Sequence, residues 1–269
     1  MGVDTKFRRI KYQIPEGDVP IPVYSGNAFR GKLRRIAALD FLSRIGIESG
    51  GDEKVSDKLY YTLFSGGSLQ KGSTSTGIDV GLKRELRRMI PFLSVFGTAF
   101  VNQMLPGKLG VGIAVPIADE TESVTGRPSD RSVWDLVEQV FYTRRDDLED
   151  PQEKRGDDDT AQQMRYTIEC LSTGTELVHE FLLHHPTDID LACFGAVIRN
   201  FEEDPMLGGK SGVGHGKVRL AYEPAWPDPQ PYYEYMDAHR DEIVAYVRGM
   251  EEKLSGGAKE KKEKKERAA

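Results

Sequence analysis

A chain of 269 residues, 38% hydrophobic and 30% charged, is long enough to bury a core for one large domain or two small ones. It has no run of about 18 apolar residues, which excludes a membrane-spanning helix of the usual kind, and its two cysteines, Cys170 and Cys193, exclude a disulfide framework or a cysteine-rich zinc site. A net charge of −6 would argue against a nucleic-acid binder if it were evenly spread, because neutralising phosphates takes Lys and Arg. It is not evenly spread. Lys6, Arg8, Arg9, Lys11, Arg30, Lys32, Arg34 and Arg35 outnumber the acids of the first forty residues, whereas RRDDLEDPQEKRGDDDT over 144–160 is strongly acidic. An acidic total can therefore hide a basic face.

In chain order, Phe7, Ile10, Tyr12 and Ile14 alternate with charged residues as a strand does, until Pro15, Pro20 and Pro22 punctuate the chain. Nothing in MGVDTKFRRIKYQ resembles the apolar core of a secretion signal, so the expected compartment is the cytoplasm. Ser25-Gly26-Asn27 offers helix-capping chemistry, and AFRGKLRRIAALDFLSRIG follows with Phe29, Leu33, Ile36, Ala37 and Phe41 near helical spacing. KLYYTLFSGG is a short apolar piece, and SGGSLQKGSTSTG is a loop. A second helix over 80–90 ends at Pro91. Pro106-Gly107 marks a turn, and Lys108–Ile117 reads as a strand.

Residues 119–164 are polar, apart from an amphipathic piece at VWDLVEQVFY, and their acidic part reads as a mobile insertion. MRYTIECL and ELVHEFLLHH, joined by Ser172-Thr173-Gly174-Thr175, read as a hairpin. A helix over 187–203 puts Leu191, Phe194, Val197, Ile198 and Phe201 on one face. DPMLGGKSGVGHG then leads into a strand KVRLAYE, and a last helix over 235–254 carries Met236, Ile243, Val244, Val247 and Met250. The tail SGGAKEKKEKKERAA has no core residues and is expected to be disordered over 255–269. The second half therefore reads β-β-α-β, the end of a ferredoxin-like unit within an α+β fold.

Two segments could carry chemistry. PVYSGNAFRGKLRR places Arg30, Lys32, Arg34 and Arg35 in the first turns of a helix that Ser25 or Asn27 caps. Cations there oppose the helix dipole by about 0.3–1 kcal/mol each, a conflict that an anion at the exposed N–H groups relieves. The plainer alternative is a capped surface helix with solvated basic residues. LGGKSGVGHGKVRL, residues 207–220, lets backbone approach a ligand closely. It is not a Walker loop, since Asp204 stands where the first glycine belongs, and its order of helix, glycines, strand is the reverse of a dinucleotide fingerprint. The plainer alternative here is a passive connection.

Candidates for catalysis are sparse. His179, His184 and His185 read as exposed strand histidines, with no H-E-x-x-H motif. Asp119, Glu120 and Glu122 read as a solvated acidic loop rather than a metal site. His215 alone has a functional setting, within reach of a phosphate, a 2′-hydroxyl or a base. No cofactor or metal is implied, and no covalent nucleophile is supported.

Taken together, these segments carry a resemblance. PVYSGNAFRGKLRR is similar to the Pro-x-x-x-Ser-x-x-x-[Lys/Arg]-Gly-x-[Leu/Phe]-Arg pattern near the start of CRISPR-associated RAMP proteins, and LGGKSGVGHGKVRL resembles their glycine-rich loop. PFLSVFGTAFVNQMLPGKLGVGIAVPI and YTIECLSTGTELVHEFLL resemble further stretches of the same superfamily, so the likeness covers roughly residues 4–222. Within it the chain resembles the Cas-seven-type backbone subunit, closest to those of type IV effector complexes.

The resemblance implies an α+β, ferredoxin-like or RRM-like palm over 1–118 and 165–254, with helical insertions and an inserted thumb over 119–164. It implies a non-enzymatic subunit that lines up with copies of itself and other effector subunits along a CRISPR guide RNA, the guide pairing with a target nucleic acid, and no membrane partner. Contacts to the guide backbone are expected from Ser25, Asn27, Arg30, Lys32, Arg34 and Arg35, with Lys210, Ser211, His215 and Lys217 opposite and Lys6, Arg8 and Arg9 extending the track. Two departures matter. The family's first strand normally lies upstream of GVDTKFRR, so the start is truncated or another element takes its place. Asp4 and Asp18 lie roughly where type III relatives carry a cleaving Asp, but the surrounding sequence does not match, and no cleavage is expected. A RAMP endoribonuclease, a type III backbone subunit that cuts its target, and a binder of a phosphate ligand are the alternatives.

Overall fold

The computed structural model describes residues 2–14, 17–47, 55–67, 79–101, 103–144 and 164–266. In chain order its elements are β1 (Gly2–Thr5), β2 (Arg8–Ile14), β3 (Gly17–Val23), α1 (Gly26–Arg44), α2 (Asp57–Phe64), α3 (Val80–Met89), α4 (Pro91–Phe96), β4 (Thr98–Phe100), β5 (Gln103–Leu105), β6 (Leu109–Val111) and β7 (Val115–Pro116). They continue with α5 (Glu122–Thr125), β8 (Val137–Arg144), β9 (Met164–Leu171), β10 (Leu177–Val178), β11 (Phe181–Leu183), α6 (Asp188–Glu203), α7 (Gln230–Ala238) and α8 (Arg240–Glu266). The fold is mixed α and β, in two compact units: residues 1–26 with 112–180, and residues 27–111 with 181–269.

In the first unit, β2 and β3 form a hairpin in which Ile10 faces Ile21 and Tyr12 faces Val19. These pairs pack on a small core of Ile21, Val23, Val115, Ala118, Val133 and Leu136. Pro20 and Pro22 do not interrupt β3, contrary to the sequence expectation. They sit opposite Lys11 and Arg9 in a two-stranded ladder, where a strand has a free edge that needs no N–H from them. A second sheet has the order β1-β9-β8, with β9 parallel to β1 and antiparallel to β8.

The expected hairpin of 164–185 does not form. β9 takes β8 and β1 as partners, and the returning segment splits into β10, paired with β7, and β11, paired with β6. The strand expected over 108–117 splits likewise into β6 and β7, on either side of Gly112, where the unit boundary falls. Gly112 donates its N–H to the Glu180 carbonyl at 3.0 Å, and an added Cβ would lie 3.0 Å from the Glu180 side chain. Among the described residues the sheets have two or three strands, so a four-stranded ferredoxin-like sheet is not among them.

The second unit is mostly helical. α1 buries Phe29, Leu33, Ala37, Ala38, Phe41, Leu42 and Ile45 along one stripe. α4 starts at Pro91, a residue suited to the first helical position, and all six of its residues are buried. α6 has a capping box between Thr187 and Asp190 and buries most of its length. The last helix is two: α7 stops at His239, and α8 buries Ile243, Val247, Met250 and Leu254. α8 continues into the lysine-rich tail as far as Glu266, where the sequence reading expected disorder. The strand expected over 217–223 is absent; only Lys217 forms a bridge, to Met206. The acidic residues 145–163 and most of the Ser/Gly/Thr loop, 68–78, lie outside the described residues. Among the described residues no helix is long and apolar enough to cross a membrane.

Candidate nucleic-acid interface

Ser25 stands immediately before α1, at the cap position the sequence gave it. Helical spacing turns Phe29 and Leu33 inward and leaves Asn27, Gly31 and Arg35 exposed, with Lys32 partly so. Arg30 and Arg34 lie between these faces and turn into the protein. Arg30 Nη2 donates to the Phe96 carbonyl at 2.6 Å. Arg34 Nη2 donates to the same carbonyl at 2.7 Å and to that of Gly97, and its Nη1 donates to Leu63 O at 3.3 Å. Phe96 ends α4, so these are carbonyls that a helix end leaves without partners.

Arg34 is 8% exposed, and burial followed by the charge of Arg30 pulls its pKa down to about 10. Burial also lowers that of Arg30. Against the expectation of a surface-facing pair, the guanidinium of Arg34 is sequestered inside the protein and that of Arg30 is directed to a backbone carbonyl. They hold the end of α4.

The stretch around FGTAFVNQMLPGKL is explained in the same way. Gly97 has φ 71°, and a Cβ there would lie 2.4 Å from Gly107 N; one on Gly107 would lie 2.5 Å from the Phe96 carbonyl carbon. The two glycines let the chain cross itself at the end of α4. Lys108 is directed to Asp190 at the start of α6. Burial pushes Asp190 up, but hydrogen bonds from Lys108, Thr187 and Ser94 outweigh it and hold the carboxyl below its usual range.

The glycine-rich segment is a closed loop. Leu207 N–H donates to Gly216 O at 2.8 Å and Val218 N–H to Pro205 O at 2.9 Å, which ties its base. A single 3-10 turn, Ser211–Val213, forms its tip. Gly216 has φ +88°, and a Cβ there would lie 1.7 Å from Leu207 O, so only glycine closes the base. Lys210, Ser211 and Lys217 are exposed and His215 partly buried. From Pro205 to Tyr222 the chain contains no acid. Motif reasoning passed over Arg219, also exposed; the acid-free run is the signal that would have found it.

An aromatic cluster fixes this loop beside the start of α1. Phe29 packs on Phe201, which precedes the loop, at 5.4 Å between ring centroids, and on Phe181 at 5.3 Å. Phe181 in turn contacts Tyr222, which follows the loop, at 5.3 Å. Both roots of the loop and the first turn of α1 thus share one cluster, all within the second unit.

Lys6, Arg8, Arg9 and Ser25 belong to the first unit. Lys6 and Arg8 are exposed. Arg9 is paired with Glu169 at 2.7 Å and lies over the Trp134 ring at 5.7 Å. Glu169 also accepts from Phe7 N–H at 3.1 Å. Sequence reasoning missed this partner, which is 160 residues away.

The histidines divide. His184 and His185 are exposed as expected. His179 is not: it is partly buried, and burial lowers its pKa to about 4 despite a hydrogen bond with the Gly112 backbone. Glu120 accepts from Ser132 Oγ and from Val133 N–H at 2.8 Å, a local structural role. Among the described residues no group of three or more His, Cys, Asp or Glu is placed to hold a metal ion.

No known protein family profile matches the chain, and no curated protein matches it. Among solved structures, a chain of a "Type IV-B CRISPR Complex" matches with a TM-score of 0.58 and 24% identity, over 87% of this chain and 89% of that one. The protein thus shares its overall fold with a component of that assembly.

Proposed function

We propose that this protein is a backbone subunit of a CRISPR effector complex, related to the Cas-seven-type RAMP subunits of type IV systems, that holds a guide RNA by its sugar–phosphate chain and does not cut it. The likeness to a chain of a Type IV-B CRISPR complex along almost the whole fold supports that setting. The observation that carries the binding role is the exposed, acid-free glycine loop, tied at its base and rooted beside the start of α1. A subunit of this kind must grip any guide, so it contacts phosphates and sugars and leaves base edges free.

In this reading Lys210, Ser211, His215, Lys217 and Arg219 meet the RNA from the loop. Asn27, Lys32 and Arg35 meet it from α1. Arg30 and Arg34 hold the end of α4 from within. Partners are the guide RNA, the target paired to it, further copies of the chain and other effector subunits.

The test is binding of the protein to single-stranded RNAs of unrelated sequence across a salt series. Similar affinities for all of them are expected, with a slope that falls by about 0.7 for each phosphate contact removed, as in a Lys210→Ala, Lys217→Ala pair. Binding confined to one sequence, or a slope the pair leaves unchanged, would refute the reading. Incubation with a repeat-containing RNA is expected to return it intact.

A further inference from the structure

α8 buries Ile243, Val247, Met250 and Leu254 along one line, and its helix runs on past Leu254 to Glu266. At about 3.6 residues per turn, Lys261, Lys262, Lys264 and Lys265 share the side of the helix that this line occupies, and Glu260, Glu263 and Glu266 fall on the other. A helix face that is apolar over its packed length thus turns basic beyond Leu254. α7 and the first turn of α8 carry the opposite charge, with Glu234, Asp237, Asp241 and Glu242 against Arg240. Glu242 is paired with Arg88 at 2.7 Å; Glu234, Asp237 and Asp241 are exposed. Asp241 suits the first turn of α8, but Asp237 stands in the last turn of α7, where the helix dipole disfavours an acid. The helix itself does not account for Asp237.

We propose that the lysine face of α8 in one copy docks on the acidic surface of α7 and the start of α8 in a second copy, joining copies head to tail without RNA. The two surfaces match in charge, and one chain cannot join its own. Asp241 and Lys261 stand twenty residues apart on a single helix, about 30 Å at 1.5 Å per residue. Contacts between two different surfaces leave one of each free on the end copies, so they propagate. That suits a subunit that lines up in many copies; the inference rests on this part of the proposed function and names the surfaces that meet. Surface ion pairs are weak singly and screened by salt, which keeps such a joint reversible.

The experiment is sedimentation velocity of the full chain, free of RNA, at about 50 mM salt, where charges are little screened. Wild type is expected to form oligomers that grow with concentration and dissociate at about 0.5 M salt. One variant carries Lys261→Glu, Lys262→Glu, Lys264→Glu and Lys265→Glu; another carries Glu234→Lys and Asp237→Lys. Each alone is expected to melt as wild type does and to associate about tenfold more weakly or worse. Mixed in equal amounts they are expected to associate as wild type does, because each supplies the face the other has lost. A chain ending at Ala258 loses no core residue and is expected to weaken association likewise. A monomeric wild type, a reversed variant that associates normally, or a mixture no stronger than its parts would overturn the inference. So would a lysine variant that associates normally but loses RNA affinity, since the lysines would then serve the polyanion. RNA holding is read separately from the Lys210→Ala, Lys217→Ala pair, so it can stand where this inference falls.

Discussion

Arg34 and Lys210 belong to the two motifs that the sequence marks for chemistry, and they have opposite surroundings. Arg34 is buried against three carbonyls at the end of α4 and in the last turn of α2. Lys210 stands exposed at the tip of a loop without acids. A guanidinium can replace its hydration with a fork of carbonyls and so become part of a core, whereas an ammonium keeps its water more tightly. For Arg34, orphan carbonyls within reach remove the cation from the surface.

The comparison breaks most readily at Arg34. Arg34→Met keeps much of the volume and leaves the Phe96, Gly97 and Leu63 carbonyls without this donor. A loss of about 2–4 kcal/mol is expected in urea denaturation. A variant that folds normally but binds RNA poorly would return Arg34 to the interface. Gly216→Ala comes next, with an expected loss of about 1–3 kcal/mol as the loop base is forced open against Leu207 O, and a fall in RNA affinity despite every loop cation being intact.

Acid sharpens the contrast between buried and exposed groups. The pKa of His179 falls from an ordinary 6.5 to about 4 in the folded state. Below about pH 6.5 the unfolded chain takes up a proton that the folded protein refuses, so stability is full above that pH and declines toward pH 4. About 1–3 kcal/mol is at stake, and urea midpoints at pH 7.5 and pH 4.5 should differ less in His179→Gln. Asp190, held below the usual carboxylate range, loses its contribution only at lower pH, as the carboxyl protonates. Gly31→Ala, on the exposed side of α1 with nothing within 4 Å, is expected to add about 0.5–1 kcal/mol. Lys210→Ala should change stability by less than about 0.5 kcal/mol while weakening RNA binding.

Helices were the most legible part of the chain. Phe29, Leu33 and Phe41 mark α1, and Thr187 with the Phe194–Phe201 stripe marks α6, because periodicity and caps are local properties. Strand partners were not legible. MRYTIECL and ELVHEFLLHH look like neighbours in sequence, yet β9 pairs with β8 and β1. That choice depends on contacts far apart in the chain. The prolines of β3 misled for a related reason, since only the sheet shows that its free edge tolerates them. Within the site, residue type located the glycine loop but not the fate of each cation. Neither Arg9 nor Arg34 has its partner nearby in sequence: Glu169 and Phe96 lie 160 and 62 residues away.

The pairing of β1 with β9 has a consequence for biosynthesis. Gly2–Thr5 hydrogen-bonds alongside Arg165–Ile168, so this strand has no mate until some 160 further residues have been translated. At about 5–20 residues per second that is a wait of roughly ten to thirty seconds with an unpaired edge. Codon changes that lengthen that interval should lower the soluble yield.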